Sequence, residues 1–448
     1  MVLAFIAFGL PGQEPAAQGE DREEERVLDQ HEDWEETLRF GIDSEIVELL
    51  DELAEQQVEE LADDVLDLLR ERSNPRLLRN GLSYFSAIDD PRAEEVATEL
   101  LSDRELSDVD VAIEALRYLA DGVDSADPET LVTVRGLLTV QSEQIAAQAA
   151  STLGSLDDTD GLEEMRRAFE QRREENVRRN ILLGVGKMGD KAREAQEWIL
   201  PLLGNPQASE TVQQYAIDTL GRIGAEEARE PLKELLESDS SMMRAYAISS
   251  LVMLDASGIT DELTRAMRDD DWRVRQIAVE GVGEAEYDES LFAARYMARR
   301  DPDHRVATSA VRTIGSFESD EAYEVLREIV SERSAPIQAR LAAVDILIEN
   351  DLADSVDTLV EILEKDSQTG EEQIIQQIAS GLSGAEHQGL SEAFRILLEH
   401  EEVTMRLLAI QGIGRNGFDE FKEEIEDFTA DRHPASVRRY AEEALENL

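Results

Sequence analysis

Apolar residues recur every three to five positions along most of this chain, and the pattern they form is itself repeated. From about residue 77 each unit runs apolar residue, often Arg, two variable residues, Ala, then another apolar residue four positions on, often followed by Gly. Val274-Arg275-x-x-Ala278-x-x-x-Val282-Gly283 and Met405-Arg406-x-x-Ala409-x-x-x-Ile413-Gly414 are two copies. The central Ala anchors fall at positions 81, 115, 149, 181, 216, 247, 278, 310, 343, 378, 409 and 441, where Gly81, Ile181 and Ile378 replace Ala. Successive anchors lie 31 to 35 residues apart. Apolar residues at steps 0, 4 and 8 make one stripe of a helix with a 3.6-residue period. A second stripe follows in most units, as in Leu263-x-x-x-Met267 and Val325-Leu326-x-x-Ile329-Val330.

Polar turns separate the stripes: Ser238-Asp239-Ser240-Ser241, Asp269-Asp270-Asp271 and Asp301-Pro302-Asp303. Their Ser and Asp side chains can accept from the free N–H groups that open the next helix. Each unit therefore predicts helix–turn–helix, and a period of this length predicts an array that buries its apolar faces by stacking unit on unit. No segment shows sustained period-two alternation, so almost no strand is expected and the fold class is all-α. Ala at the middle position lets a neighbouring helix come close. Gly after the last apolar position, as at Gly186, Gly221, Gly283, Gly315 and Gly414, suits a C-terminal turn or a close backbone contact. Pro201 and Pro231 are tolerable only near a first turn or at a kink.

The pattern divides the chain into 43–448, about 12–13 helical hairpins, and a leader that lacks it. Residues 43–73 read as a divergent capping pair, and the chain stops inside its last unit. Met1–Leu10 is apolar and uncharged in its side chains, and Pro11-Gly12 and Pro15-Ala16-Ala17 follow it. Residues 1–17 thus have the layout of an export signal without its basic start, so an exported or periplasmic protein is expected, with a cytoplasmic one as the alternative. Residues 18–42 read as an acidic linker or short leading helix.

Composition narrows the partners. There are 101 acidic and 44 basic residues, a net charge of −57, and only five lysines. Such a surface repels nucleic-acid phosphate and anionic lipid, so neither is expected as a partner. Many carboxylates with arginine as the main cation resemble the surfaces of proteins from salt-loving organisms. Cysteine is absent, which removes disulfides, thiolate metal sites and a cysteine nucleophile. No run approaches the roughly 20 apolar residues of a membrane span.

The Val-Arg-x-x-Ala-x-x-x-Leu-Gly core, with Asp a few residues before it, resembles the HEAT repeat, and more closely the phycobilisome-lyase HEAT-like variant, over about residues 44–448. The resemblance implies a right-handed α-α superhelix, a HEAT-like solenoid, with the Val-Arg helices on its concave side. It also implies pairing of turn Asp with motif Arg between units. Arg178, Arg244, Arg275, Arg340, Arg406 and Arg438 hold the Arg position, whereas Ala146, Gln213, Ala307 and Ile375 depart from it and should interrupt that ladder. The lyase activity that names the variant is not implied by the repeat.

Candidate chemistry is sparse. Carboxylates are too evenly spread to single out an acid–base pair. His31, His304, His387, His400 and His433 are scattered, and none has a second His three or four residues away, as a zinc site would need. The Asp269–Asp271 and Asp301–Asp303 runs lack the glycine and distal Glu of a calcium loop and are expected to cap helices. Gly-x-Gly triplets close the Val-Arg helices instead of preceding a helix, which indicates packing and not a phosphate cradle. Trp198 and Trp272 are expected in the core. What remains is the concave face, where Gln214, Asp218, Ser249, Gln276, Glu280, Thr308 and Arg312 fall off the buried stripe. The expectation is a non-catalytic, cofactor-free scaffold binding another protein there. The alternative is a lyase-type chromophore-attachment subunit or other enzyme accessory protein.

Overall fold

The computed structural model describes residues 30–102, 108–285, 290–366 and 372–448, so the candidate export signal lies outside the described residues. The chain divides into two compact units, 1–223 and 224–448. In the first, five helical hairpins precede the motif helix Glu210–Arg222; in the second, the short helix Arg229–Leu235 leads into six hairpins and a closing helix, Ala435–Leu445. No strand occurs among the described residues. Residues 30–40 are helical, with Trp34 and Leu38 buried, so the short-helix reading holds for that part of the leader.

Local chemistry starts the helices where the turns predict. Asn74 accepts from the Arg76 amide with Pro75 at the first helical position, Ser209 accepts from Val212, Ser240 from Met243 and Asp303 from Arg305. These side chains satisfy donors that no helical carbonyl can reach. The second helices use another device. Several open on paired carboxylates (Asp63 and Asp64, Glu94 and Glu95, Glu163 and Glu164), where the helix dipole stabilises negative charge. Pro231 sits in the first turn of its helix, and Pro201 lies in the 3-10 turn Leu200–Leu202 that ends a helix of one turn.

Within each unit the first helix of a hairpin packs on the first helices before and after it, as Ser241–Asp255, Trp272–Ala285 and His304–Ser316 do in succession. The second helices pack mainly on the first helix that follows them, as Ser290–Arg300 does on His304–Ser316, and more loosely on one another. All twelve anchors are buried, and Ala216, Ala278 and Ala310 have no exposed area.

Three residues after the anchor comes the closest approach between consecutive first helices. Thr152, Thr219 and Thr313 donate from their hydroxyls to the Leu116, Leu182 and Val279 carbonyls of the preceding first helix, at 2.8, 3.0 and 3.3 Å. Each of those carbonyls belongs to the residue just after an anchor. At Gly184 the backbones close up instead, and a Cβ there would lie 2.2 Å from the Ala150 carbonyl oxygen, whereas Gly281, Gly381 and Gly412 make room for the Val252, Ile348 and Phe394 side chains. The motif glycines serve packing too. A Cβ on Gly283 would meet Thr313 at 2.9 Å and one on Gly414 would meet Ala444 at 2.7 Å, and neither residue has positive φ. The C-terminal turn role falls to Gly417, left-handed at φ 62°.

Ala278→Asp should therefore cost several kcal/mol, since it buries an unpaired carboxylate between stacked helices. Thermal and urea unfolding check this; an unchanged midpoint would mean the anchor row does not face the neighbouring helix.

Candidate functional site

The motif arginines fasten one turn to the next. Arg275 donates from NH1 back to the Asp269 and Asp270 carbonyls at 2.8 and 3.1 Å. Its Nε and NH2 reach forward to both Asp301 oxygens at 2.8 and 2.9 Å. Arg244 repeats the arrangement with the Ser238 carbonyl at 2.7 Å behind it and Asp269 in front at 2.8 Å. The backward bonds place a cation where a second helix has just ended and its carbonyls are free. The forward aspartates also accept from the Asp271 and Asp303 amides, so one carboxylate holds both the arginine and the turn.

Arg244 and Arg275 thus both take an aspartate of the following turn. Arg406 and Arg438 make backbone bonds, to the His400 and His433 carbonyls at 2.7 and 3.1 Å, and Arg340 is buried and donates from Nε to the Val330 carbonyl at 2.8 Å. Gln213, expected to break the ladder, instead keeps its backward half by donating to the Asn205 and Ala208 carbonyls at 3.0 and 3.1 Å. Its amide reproduces the arginine's neutral contact without the charge.

Of the seven face residues, Gln214 and Asp218 lie in the first unit and the other five in the second. All are half-buried or exposed. Asp218 is engaged by Arg222 one turn on at 2.7 Å, and Gln214 approaches Glu210 at 3.4 Å. Glu280 accepts from Gln276 at 3.0 Å and from Ser309, on the next first helix, at 2.5 Å. Sequence reading missed Ser309 because it sits one step outside the row. Ser249 and Arg312 share the row of Glu280 and Thr308 that of Gln276, on the first helices either side.

Extended to all twelve motif helices, the rows two and six residues after the first apolar position hold four carboxylates (Asp218, Glu280, Asp345, Glu443) and five arginines (Arg79, Arg117, Arg179, Arg312, Arg439). The rest are Gln, Ser, Thr, Ala, Ile and Leu. In a chain of net charge −57 these rows are nearly neutral. Acid is concentrated elsewhere, notably where second helices begin, as at Asp261–Glu262, Asp320–Glu321 and Glu423–Glu424.

The profile of the spirochaete HEAT repeat protein family matches residues 38–444. The chain belongs to that family. Among solved structures, the CpcE–CpcF complex of phycocyanin lyase from Nostoc sp. PCC7120 is 18% identical, with a TM-score of 0.36, over 53% of this chain and 94% of that one. Kap121p bound to the extreme C-terminus of the protein phosphatase Cdc14p is 12% identical with a TM-score of 0.46, over 92% of this chain. The chain spans about half (53%) of the Kap121p chain. No curated protein matches.

Other features of this HEAT repeat protein are structural. His387 and His400 accept through Nδ1 from the Gly389 and Glu402 amides at 3.1 Å, acting as turn acceptors. No group of three or more metal-ligating side chains occurs among the described residues. Trp272, expected in the core, is half-buried, with the Arg305 guanidinium 3.4 Å and that of Arg273 4.8 Å from its ring centre. The guanidinia lie against the ring, which also packs against the hydrophobic core. Trp198 is half-buried against Phe169 at 5.2 Å. On the second-helix layer, Phe292 and Tyr296 are 72% and 61% exposed beside Met267 and Met297, lining a groove of about 900 Å³.

Burial alone would raise the Asp269 carboxyl, but the bonds from Arg244 and the Asp271 amide outweigh it and hold the group below its ordinary 3.8. A depressed carboxyl contributes stability in full above the unfolded pKa and loses it as pH falls through the folded value. Asp269→Asn should cost about 1–3 kcal/mol near pH 7. The gap to wild type should narrow as pH drops below 3.8. Denaturant titrations of both proteins across that range test this; a gap independent of pH would contradict it.

Proposed function

We propose that this HEAT repeat scaffold is non-catalytic and binds another protein along the exposed rows of its first helices. The observation that carries the reading is the near-neutrality of those rows on a chain of net charge −57. If acidity served solubility alone, it would cover the exposed rows of the first helices as it covers the starts of the second helices. A surface of amide, hydroxyl and arginine side chains can meet a protein partner with hydrogen bonds and without strong repulsion. Protein interfaces are depleted in charge at their centres and enriched in arginine. The stacked architecture supports this use, because each added unit extends the row by one helix and contributes modest contacts.

Affinity capture with the full chain, followed by calorimetric titration of the captured protein, tests the reading. Saturable binding is expected, weakened at least tenfold by the double variant Ser249→Lys, Thr308→Lys at unchanged melting temperature. Equal affinity of that variant would remove the face from consideration.

A further inference from the structure

The register of the ladder makes one arginine anomalous. Arg178 holds the motif position on the helix Glu175–Lys187, equivalent to Arg244 and Arg275. Those two place Nε on an aspartate of the following turn and NH1 on carbonyls of the preceding one. The Arg178 side chain makes neither bond among the described residues, and its Nε is buried with no partner. It stacks on Phe169 instead, 4.2 Å from the ring centre.

The forward bond is lost through a single change of atom. In the two filled rungs one aspartate oxygen takes the turn amide and the other faces the arginine Nε. In the turn after Arg178 the corresponding residue is Asn205. Its Oδ1 accepts from the Gln207 amide at 2.9 Å, and its backbone carbonyl receives Gln213 as the Asp269 carbonyl receives Arg275. The second position of the side chain is then an NH2 group, a donor that cannot serve a guanidinium. Arg178 is left cationic, half-buried and without a counter-ion among the described residues, next to the exposed Arg173. Burial and the like charge of Arg173 both disfavour its charged form. An arginine stays protonated regardless, and a bound anion would offset that cost.

We infer that Arg178, assisted by Arg173, is a docking point for a carboxylate side chain of a protein partner. A carboxylate fits because the same guanidinium position takes one at Asp269 and Asp301. A phosphate carries more charge into the field of a chain with net charge −57. The partner segment is thus one that presents a single carboxylate side chain here, and that carboxylate completes the rung that Asn205 leaves open. This deepens, and rests on, the reading of the chain as a protein-binding scaffold.

A rhodamine-labelled, C-terminally amidated Gly-Ser peptide carrying one glutamate, titrated by anisotropy into the full chain at 0.15 M salt, tests the site without any cellular partner. Wild type should bind saturably. Asn205→Asp, which supplies the missing oxygen from within, should weaken binding at least tenfold and raise the melting temperature. Arg178→Ala should weaken binding as much with its circular dichroism unchanged; if that variant unfolds, Asn205→Asp alone decides. Absence of saturable binding by wild type, or unchanged binding by Asn205→Asp, would overturn the assignment. So would inorganic phosphate displacing the peptide at lower concentration than glutarate does. Failure here with partner capture intact removes this site alone; peptide binding with capture abolished removes the exposed rows instead.

Discussion

Everything in this protein depends on how closely consecutive first helices approach. The anchor must be small or well fitted, and three residues later several units meet the neighbouring backbone in one of two ways. A threonine hydroxyl binds the carbonyl, as at Thr152, Thr219 and Thr313, or glycine removes the side chain, as at Gly184. Both satisfy the same constraint: a carbonyl of the preceding helix lies within reach of this row and must not be crowded. Backbone polar groups buried without partners would cost too much for the stack to persist.

That constraint sorts charge. The side of each first helix that meets its neighbour carries no net charge, and the arginines that flank it are held at turns, where free carbonyls and capping aspartates can receive them. Acid collects at the starts of the second helices, where the dipole favours it. What the first helices present to solvent is consequently free of the obligations that fix the other faces. Its near-neutrality in so acidic a chain is the feature that calls for a functional explanation, and a protein partner supplies one.

The architecture was legible in the sequence because it rests on periodicity. Every anchor is buried, helices begin at the Ser, Asn and Asp residues that precede them, and the motif glycines sit in close contacts. Less legible were effects that depend on one atom. Gln213 reads as a break in the ladder, yet its amide keeps the backbone half of the arginine's role. Trp272 reads as core, yet two guanidinia claim its ring. The isolation of Arg178 could have been suspected from Asn205, but only with knowledge of which turn residue faces which arginine. The candidate face is partly legible: the register placed its residues on one row, while the bond from Ser309 to Glu280 needed coordinates.

The central claim is that stability comes from contacts between neighbouring hairpins and not from one shared core. Removing residues 243–273 tests it most directly, since Met242 would then join Val274 in register and the Ser238 turn would stand where the Asp269 turn stood. Calorimetry and circular dichroism of the shortened chain should show a folded, cooperative, helical protein with an unfolding enthalpy lowered by about one repeat's share. Loss of cooperative unfolding and of most helical signal would contradict the account.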